Sequence, residues 1–253
     1  MLRVFLAVMT AVAVVVPAGH RVPDSAPVLC APGAWKWADH GYEVLRNSVF
    51  GAGDQQCVSD PGDGPGFTVT RSTTPASEWN GFPWLFEGCW FDVCSQKGPL
   101  PLRVGAIRSL VLHLTGVYPG GQSGNKASEN WFSSTDTGDV HPDQMELMLW
   151  GQWRGAGLHD ARLVTIGGRW WWLEDWPVHE YGTSWEYVQL RDPADTPGDL
   201  AGVNMMPVLA FCEQHHWISA TSWAMALGAG FELVHHGTGD TVTSFTAPVN
   251  GLP

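Results

Sequence analysis

Short runs of alternating polar and apolar residues recur along this chain, each cut off by a cluster of turn residues. Tyr42 to Leu45, Phe67 to Thr70, Arg162 to Ile166 and Trp185 to Leu190 have the period of two expected of half-buried strands. Between such runs lie Gly51-Ala52-Gly53-Asp54, Pro61 to Gly66, Pro119-Gly120-Gly121, Gly167-Gly168 and Gly237-Thr238-Gly239-Asp240. Strands this short and turns this frequent predict an all-β sandwich or barrel. One segment, Ala201 to His216, reads as a helix with Val203, Met206, Leu209 and Ala210 on one face. Pro207 inside it requires a late start or a kink. There is no internal repeat, and 253 residues fit a single domain of this class.

Two of the apolar runs each carry one acid. Glu146 lies in Met145-Glu146-Leu147-Met148-Leu149-Trp150, and Glu232 in Ala229-Gly230-Phe231-Glu232-Leu233-Val234. On a strand, Glu146, Met148 and Trp150 share one face while Leu147 and Leu149 take the other. Gly228, Gly230, Glu232 and Val234 likewise share a face, and the glycines leave room beside the acid. A carboxylate is seldom buried without a partner, because removing its charge from water costs several kcal/mol or shifts its pKa. The two acids therefore read as a pair facing a cleft on the concave side of a two-sheet sandwich. Paired carboxyl groups are what cleavage of a glycosidic bond requires.

Composition narrows the setting. Arg3, the apolar stretch Val4 to Val16 and Val16-Pro17-Ala18 read as a secretory signal peptide over residues 1–18, with a linker over 19–29 and the domain over 30–253. The apolar stretch falls short of the ~20 residues needed to span a bilayer, and no later segment reaches that length, so no membrane association is expected after cleavage. Five cysteines, Cys30, Cys57, Cys89, Cys94 and Cys212, allow two disulfides and one free thiol. No Cys-x-x-Cys occurs and the doublets His215-His216 and His235-His236 lack partners at ligand spacing, so no metal and no other cofactor is expected. A formal charge of −12 argues against nucleic acid or an anionic lipid surface as partner. A neutral polymer and a monomeric, extracellular protein fit better. Fifteen Trp residues offer flat apolar faces for the core or for stacking on sugar rings.

Taken in order, these residues resemble a known family. Glu146-Leu147-Met148-Leu149-Trp150 and Gly230-Phe231-Glu232 are similar to the two catalytic strands of glycoside hydrolase family 12, in an actinobacterial-type member. So are the turn Gly237-Thr238-Gly239 and the ending Ser244 to Asn250. Phe82-Pro83-Trp84, Gly88-Cys89 and Cys94-Ser95 resemble another family segment, and Tyr42 to Gly51 resembles its Tyr-x-Val…Asn-Asn-x-Trp-Gly strand. The likeness spans about residues 30–253.

The resemblance implies a two-sheet antiparallel jelly-roll sandwich and a retaining endo-β-1,4-glucanase acting on cellulose or related β-glucans. Glu146 would be the nucleophile and Glu232 the general acid/base. It implies disulfides Cys30–Cys57 and Cys89–Cys94. Substrate contacts are expected from Asn47, Phe50, Trp90, Glu129, Trp131, Met148 and Trp150. The chain departs from the pattern at Ser48-Val49-Phe50, where Asn47 stands one place early, at Glu129 in place of an aspartate, at Cys89-Trp90-Phe91-Asp92, and at Leu233-Val234. Competing readings are a carbohydrate-binding sandwich without catalysis, a related xylanase or xyloglucanase, and a secreted structural or adhesion protein.

Overall fold

A computed structural model describes residues 28–50, 55–60, 62, 64–73, 81–119, 123–137, 143–155, 157–194 and 200–253. The expected leader (1–18), residues 19–27 of the expected linker and the turn 51–54 lie outside these residues, as do Pro61, Asp63, Gly120 and Gly121 of two other turns.

The strands are β1 (Val28–Leu29), β2 (Trp35–Ala38), β3 (Glu43–Val49), β4 (Gln56–Ser59), β5 (Phe67–Ser72), β6 (Gly81–Trp90), β7 (Val93–Cys94), β8 (Leu102–Arg103) and β9 (Val111–Val117). They continue with β10 (Ser123–Ser133), β11 (Met145–Arg154), β12 (Arg162–Ile166), β13 (Arg169–Glu180), β14 (Thr183–Arg191) and β15 (Leu200–Asn204). Helix α1 (Met206–Gln214) precedes β16 (Trp223–His235) and β17 (Thr241–Thr246). Two sheets result. The smaller has the order β1-β4-β5-β17-β9-β15, and the larger runs β12-β13-β14-β11-β10-β16-β6-β3-β2, with β7 on β6 and β8 on β16. The pairings are antiparallel with one exception: β11 runs parallel to β14.

Alternation assigns the faces as the sequence predicts. Leu147 and Leu149 of β11, with Ala229, Phe231 and Leu233 of β16, join the core between the sheets, against Phe67, Val69, Leu114 and Phe245 of the smaller sheet. Phe231 is fully buried, with Phe67 at 5.9 Å and Tyr118 stacked at 6.3 Å between ring centroids. Truncating such a ring costs about 3–5 kcal/mol. It anchors the strand whose next residue, Glu232, points the opposite way. The other face of the larger sheet carries a second cluster containing Phe82, Trp84, Trp131, Met148, Trp150, Trp185 and Tyr187.

Strand β10 carries no period-two signal, because its sequence is Ser-Gly-Asn-Lys-Ala-Ser-Glu-Asn-Trp-Phe-Ser. It nonetheless runs between β11 and β16 with both edges paired. Its buried polar groups find local partners: Lys126 Nζ donates to Gly116 O (3.0 Å) and Asn130 Nδ2 to Leu147 O (3.0 Å). Satisfied in this way, polar side chains do not forbid a central strand.

Three expectations change. Val28 and Leu29, at the end of the expected linker, form β1 and pair with Ser59 and Val58. Residues 200–204 are a strand rather than helix, since Val203 pairs with Leu112 across β9. The helix starts after them with Pro207 in its first turn, where a missing N–H costs nothing, and buries Val208, Leu209 and Cys212. Asn47, expected at the sugar-binding floor, is fully buried between the sheets. Its Nδ2 donates to Gln56 O (3.0 Å) and Ala31 O (3.3 Å), and its Oδ1 accepts from Gln56 Nε2 (2.7 Å). The reason is parity: Val44 and Phe50 lie toward the cleft, so the odd-numbered Leu45 and Asn47 face inward.

The disulfides Cys30–Cys57 and Cys89–Cys94 are formed, and Cys212 is a free, buried thiol. Asn47→Ala removes one of two acceptors of the Gln56 amide and the side-chain donor to Gln56 O, so stability should fall by about 1–3 kcal/mol in urea unfolding. Ligand affinity at the cleft should not change, and a loss of affinity without loss of stability would restore Asn47 to the site.

Candidate active site

The larger sheet holds a cleft of about 340 Å³ that exposes Glu146, Glu232 and Glu129 together. Each acid comes from a different strand of the central three. Glu146 sits near the start of β11 opposite Trp131, and Glu232 near the end of β16 opposite Asn125. Glu129 lies between, on the same face of β10 as Asn125 and Trp131. Bulges interrupt β10 at Lys126/Ala127 on one side and at Ser123/Gly124 and Trp131/Phe132 on the other, which adds local twist to this part of the sheet.

Uncharged donors hold each carboxyl. Trp185 Nε1 donates to Glu146 Oε2 (2.9 Å), and Trp131 Nε1 donates to Glu129 Oε1. Asn125 Nδ2 donates to Glu232 Oε2, and the Glu232 backbone N–H returns a bond to Asn125 Oδ1 (3.4 Å). Below the acids, the Tyr187 hydroxyl touches Met148 Sδ at 3.0 Å and donates to Gln189 Oε1 at 3.2 Å. Gln189 Nε2 donates to Glu174 Oε2 (2.7 Å), which also pairs with Arg191 Nη2 at 2.8 Å. That ion pair is buried, with both side chains 4 % exposed.

Burial dominates the electrostatics. It raises Glu146 to about 8, opposed by the Trp185 N–H and reinforced by the charges of Glu232 and Glu180. It raises Glu232 to about 7, opposed by the Asn125 amide and the Arg191 charge. Glu129 is raised well above the ordinary carboxylate range by burial and by Glu146. Removal from water is the largest cause of the shift in all three acids.

Of the residues expected to contact substrate, Phe50, Trp90, Glu129, Trp131 and Met148 line the cleft. Trp150 does not: it is 1 % exposed and its ring is covered by the Arg191 guanidinium at 4.2 Å. Its face of β11 was read correctly, but β14 supplies the cation that seals it. The space beside Glu232 left by Gly228 and Gly230 is filled by Trp84, since a Cβ on Gly228 would lie 2.4 Å from Trp84 Cε3.

The sequence reading did not single out Trp185, Tyr187, Asn125, Phe91 or Tyr181. Trp185 and Tyr187 share a face in the recognised run Trp185 to Leu190, but the parallel pairing that sets them beside Glu146 leaves no local signal. Asn125 lies in β10, whose polar composition conceals it. Among the described residues, no group of three or more His, Cys, Asp and Glu could hold a metal ion, and no helix is long and apolar enough to cross a membrane.

Comparison with solved structures places this architecture. A metagenome-derived glycoside hydrolase family 12 endoglucanase superposes with a TM-score of 0.80 at 23 % identity, covering 90 % of this chain and 99 % of that one. An endoglucanase from Rhodothermus marinus gives 0.78 at 22 % identity, covering 87 % and 97 %, and a family 12 xyloglucanase from Bacillus licheniformis gives 0.76 at 19 %, covering 88 % and 100 %. The chain has the β-sandwich jelly-roll fold of these proteins. No protein-family model and no curated protein matches the sequence.

The buried acids make stability depend on pH. Their folded pKa values lie above the unfolded value of about 4.3, so the folded protein keeps protons that the unfolded chain has released. Stability is full below that value and is lost as pH rises through about 7 for Glu232 and about 8 for Glu146. Glu87, in β6, is raised to about 8 by burial and adds to the same trend. Glu129→Gln cannot ionise and should flatten the fall in unfolding free energy across this range in urea titrations. An unchanged slope would show that Glu129 contributes nothing to it.

Proposed function

We propose that the chain is a retaining endo-β-1,4-glucanase, with Glu146 as nucleophile and Glu232 as acid/base. The observation that carries this reading is the convergence of Glu146 and Glu232, each held by an uncharged donor, in a cleft lined by indoles and phenyl rings. Aromatic faces suit a neutral sugar, whose axial C–H groups pack against them. The likeness of the two strand motifs to family 12 supports the division of roles. The disulfides support an oxidising, extracellular setting after removal of residues 1–18, and the protein is taken to act as a monomer.

In the first step the ionised Glu146 attacks the anomeric carbon. The bond to the leaving oxygen breaks as Glu232 gives that oxygen its proton. In the second, Glu232 takes a proton from water, the water oxygen attacks the same carbon, and the ester to Glu146 is released. The pair must therefore hold one proton between them. Burial raises both acids, which keeps a proton on the pair. The Trp185 N–H and the positive charge developing at the anomeric carbon both favour moving it to Glu232.

Glu232→Gln should lower kcat for unactivated β-glucan by about 10²–10⁴-fold, and Glu146→Gln should abolish turnover with the fold intact by circular dichroism. NMR of the first-formed product should show the β-anomer. An α-anomer would mean inversion and would remove the nucleophile role of Glu146. Since the active pair carries one proton, kcat/KM should follow a bell in pH whose acid limb lies above the ordinary carboxylate value of about 4.3. A limb at that ordinary value would show that burial does not govern the pair.

A further inference from the structure

Two aromatic residues at the tips of separate hairpins meet in front of the candidate active site. Phe91 lies in the four-residue stretch between Cys89 and Cys94 that turns β6 into β7, and Tyr181 at the turn between β13 and β14. Strands β11, β10 and β16 lie between β14 and β6 in the sheet. Four strand spacings amount to about 19 Å, yet the rings of Phe91 and Tyr181 stand edge to face with centroids 6.3 Å apart. The tips must therefore lean toward each other across the concave face.

Beneath this contact runs a second aromatic chain joining the same flanks. Trp90 of β6 lies 6.4 Å from Trp131 of β10, which lies 5.7 Å from Trp185 of β14, and Phe91 stands on Trp90 at 4.2 Å. All five rings line the cleft that holds the acids. The polar edges of Trp131 and Trp185 are engaged by Glu129 and Glu146, so what they offer a ligand is their faces.

Each tip is a two-residue hairpin turn, Phe91-Asp92 between Trp90 and Val93 and Tyr181-Gly182 between Glu180 and Thr183. Phe91 and Tyr181 both adopt left-handed conformations, φ +51° and +50°, which bulky side chains seldom take. Tyr181 is 73 % exposed, so core packing does not explain a ring there. The turns account for the positive φ, but they favour Asn, Asp or Gly there, so a bulky ring at both tips calls for another reason.

We propose that Phe91 and Tyr181 close an aromatic collar over the cleft that admits an unsubstituted β-1,4-glucan and rejects a glucan carrying glycosyl side chains. The proposal rests on the reading of the cleft as a β-glucan site. On this proposal a bare chain, with its flat faces and thin edges, enters between the indole floor and the ring contact above. A chain branched at its primary hydroxyls cannot pass beneath that contact without breaking it, so discrimination comes from a steric penalty against the wrong ligand.

The test uses Phe91→Gly/Tyr181→Gly, because glycine takes the left-handed conformation without strain and removes only the rings. Wild type should hydrolyse cellohexaose with the higher kcat/KM and xyloglucan poorly, and the double variant should move that ratio toward xyloglucan by about tenfold, chiefly through a lower KM for xyloglucan. An unchanged ratio, or a wild type that already prefers xyloglucan, overturns the collar. Calorimetric binding of both ligands to Glu146→Gln, with and without the ring deletions, separates the two readings. Binding of cellohexaose alone, with xyloglucan admitted on ring deletion, sustains the collar even if no variant hydrolyses anything. Hydrolysis with no change in selectivity sustains the glucanase and removes the collar, and binding of neither ligand removes both.

Discussion

Three carboxyl groups gather on one face of a sheet, partly or wholly withdrawn from water, and among the described residues lining their cleft there is no cation to compensate. Arg191 is the cation whose charge reaches Glu232, and it is already paired with Glu174. An isolated buried carboxylate costs several kcal/mol, so the protein keeps these groups neutral by raising their pKa values. Much of the site follows from that constraint. The donors to the three acids are two indole N–H groups and an amide, which can bond a carboxyl in either protonation state without pulling it fully to the anion. A lysine or arginine in their place would fix the charge and end the exchange of one proton between two acids on which acid/base work depends.

The same constraint explains why the central strand looks so unlike a strand. β10 must deliver Asn125, Glu129 and Trp131 to one face while its other face meets the core. Its edges are saturated by β11 and β16, and its polar side chains by local acceptors. The close approach of the next strand is set by glycine: a Cβ on Gly230 would lie 2.4 Å from Pro83 O and 2.7 Å from Trp84 Cβ. The glycines beside Glu232 thus let Trp84 lie flat on β16, where it stacks on Phe86 with centroids 4.4 Å apart. The wall of the cleft is built from indole where backbone alone would leave a gap.

Local patterning exposed the faces of β11 and β16, because a period of two on an apolar strand leaves a single acid conspicuous. It also exposed β12 over Arg162–Ile166 and the turn Gly167-Gly168. It failed where long-range pairing overrides composition. Val203 joins β9 rather than the helix that its neighbours suggest, β10 is stabilised by partners far away in sequence, and the parallel register that sets Trp185 beside Glu146 has no trace in either strand alone. Asn47 shows a different failure. A one-residue displacement from a motif reverses the face, so a side chain of the expected type ended between the sheets, where its hydrogen bonds hold β3 to β4.

The replacement of aspartate by Glu129 in the motif belongs to the same electrostatic argument. Glu129 bonds the indole of Trp131, two residues along the same face of its own strand. That bond directs the carboxyl along β10 and gives the Trp131 N–H a partner. Kept neutral by burial, Glu129 adds little repulsion to Glu146 when that group ionises. A charged Glu129 would raise Glu146 further and leave the proton where nucleophilic attack cannot use it. The third acid is thus tolerable at this position only because it is buried as deeply as it is, 6 % exposed, and the cleft retains one mobile proton rather than two competing charges.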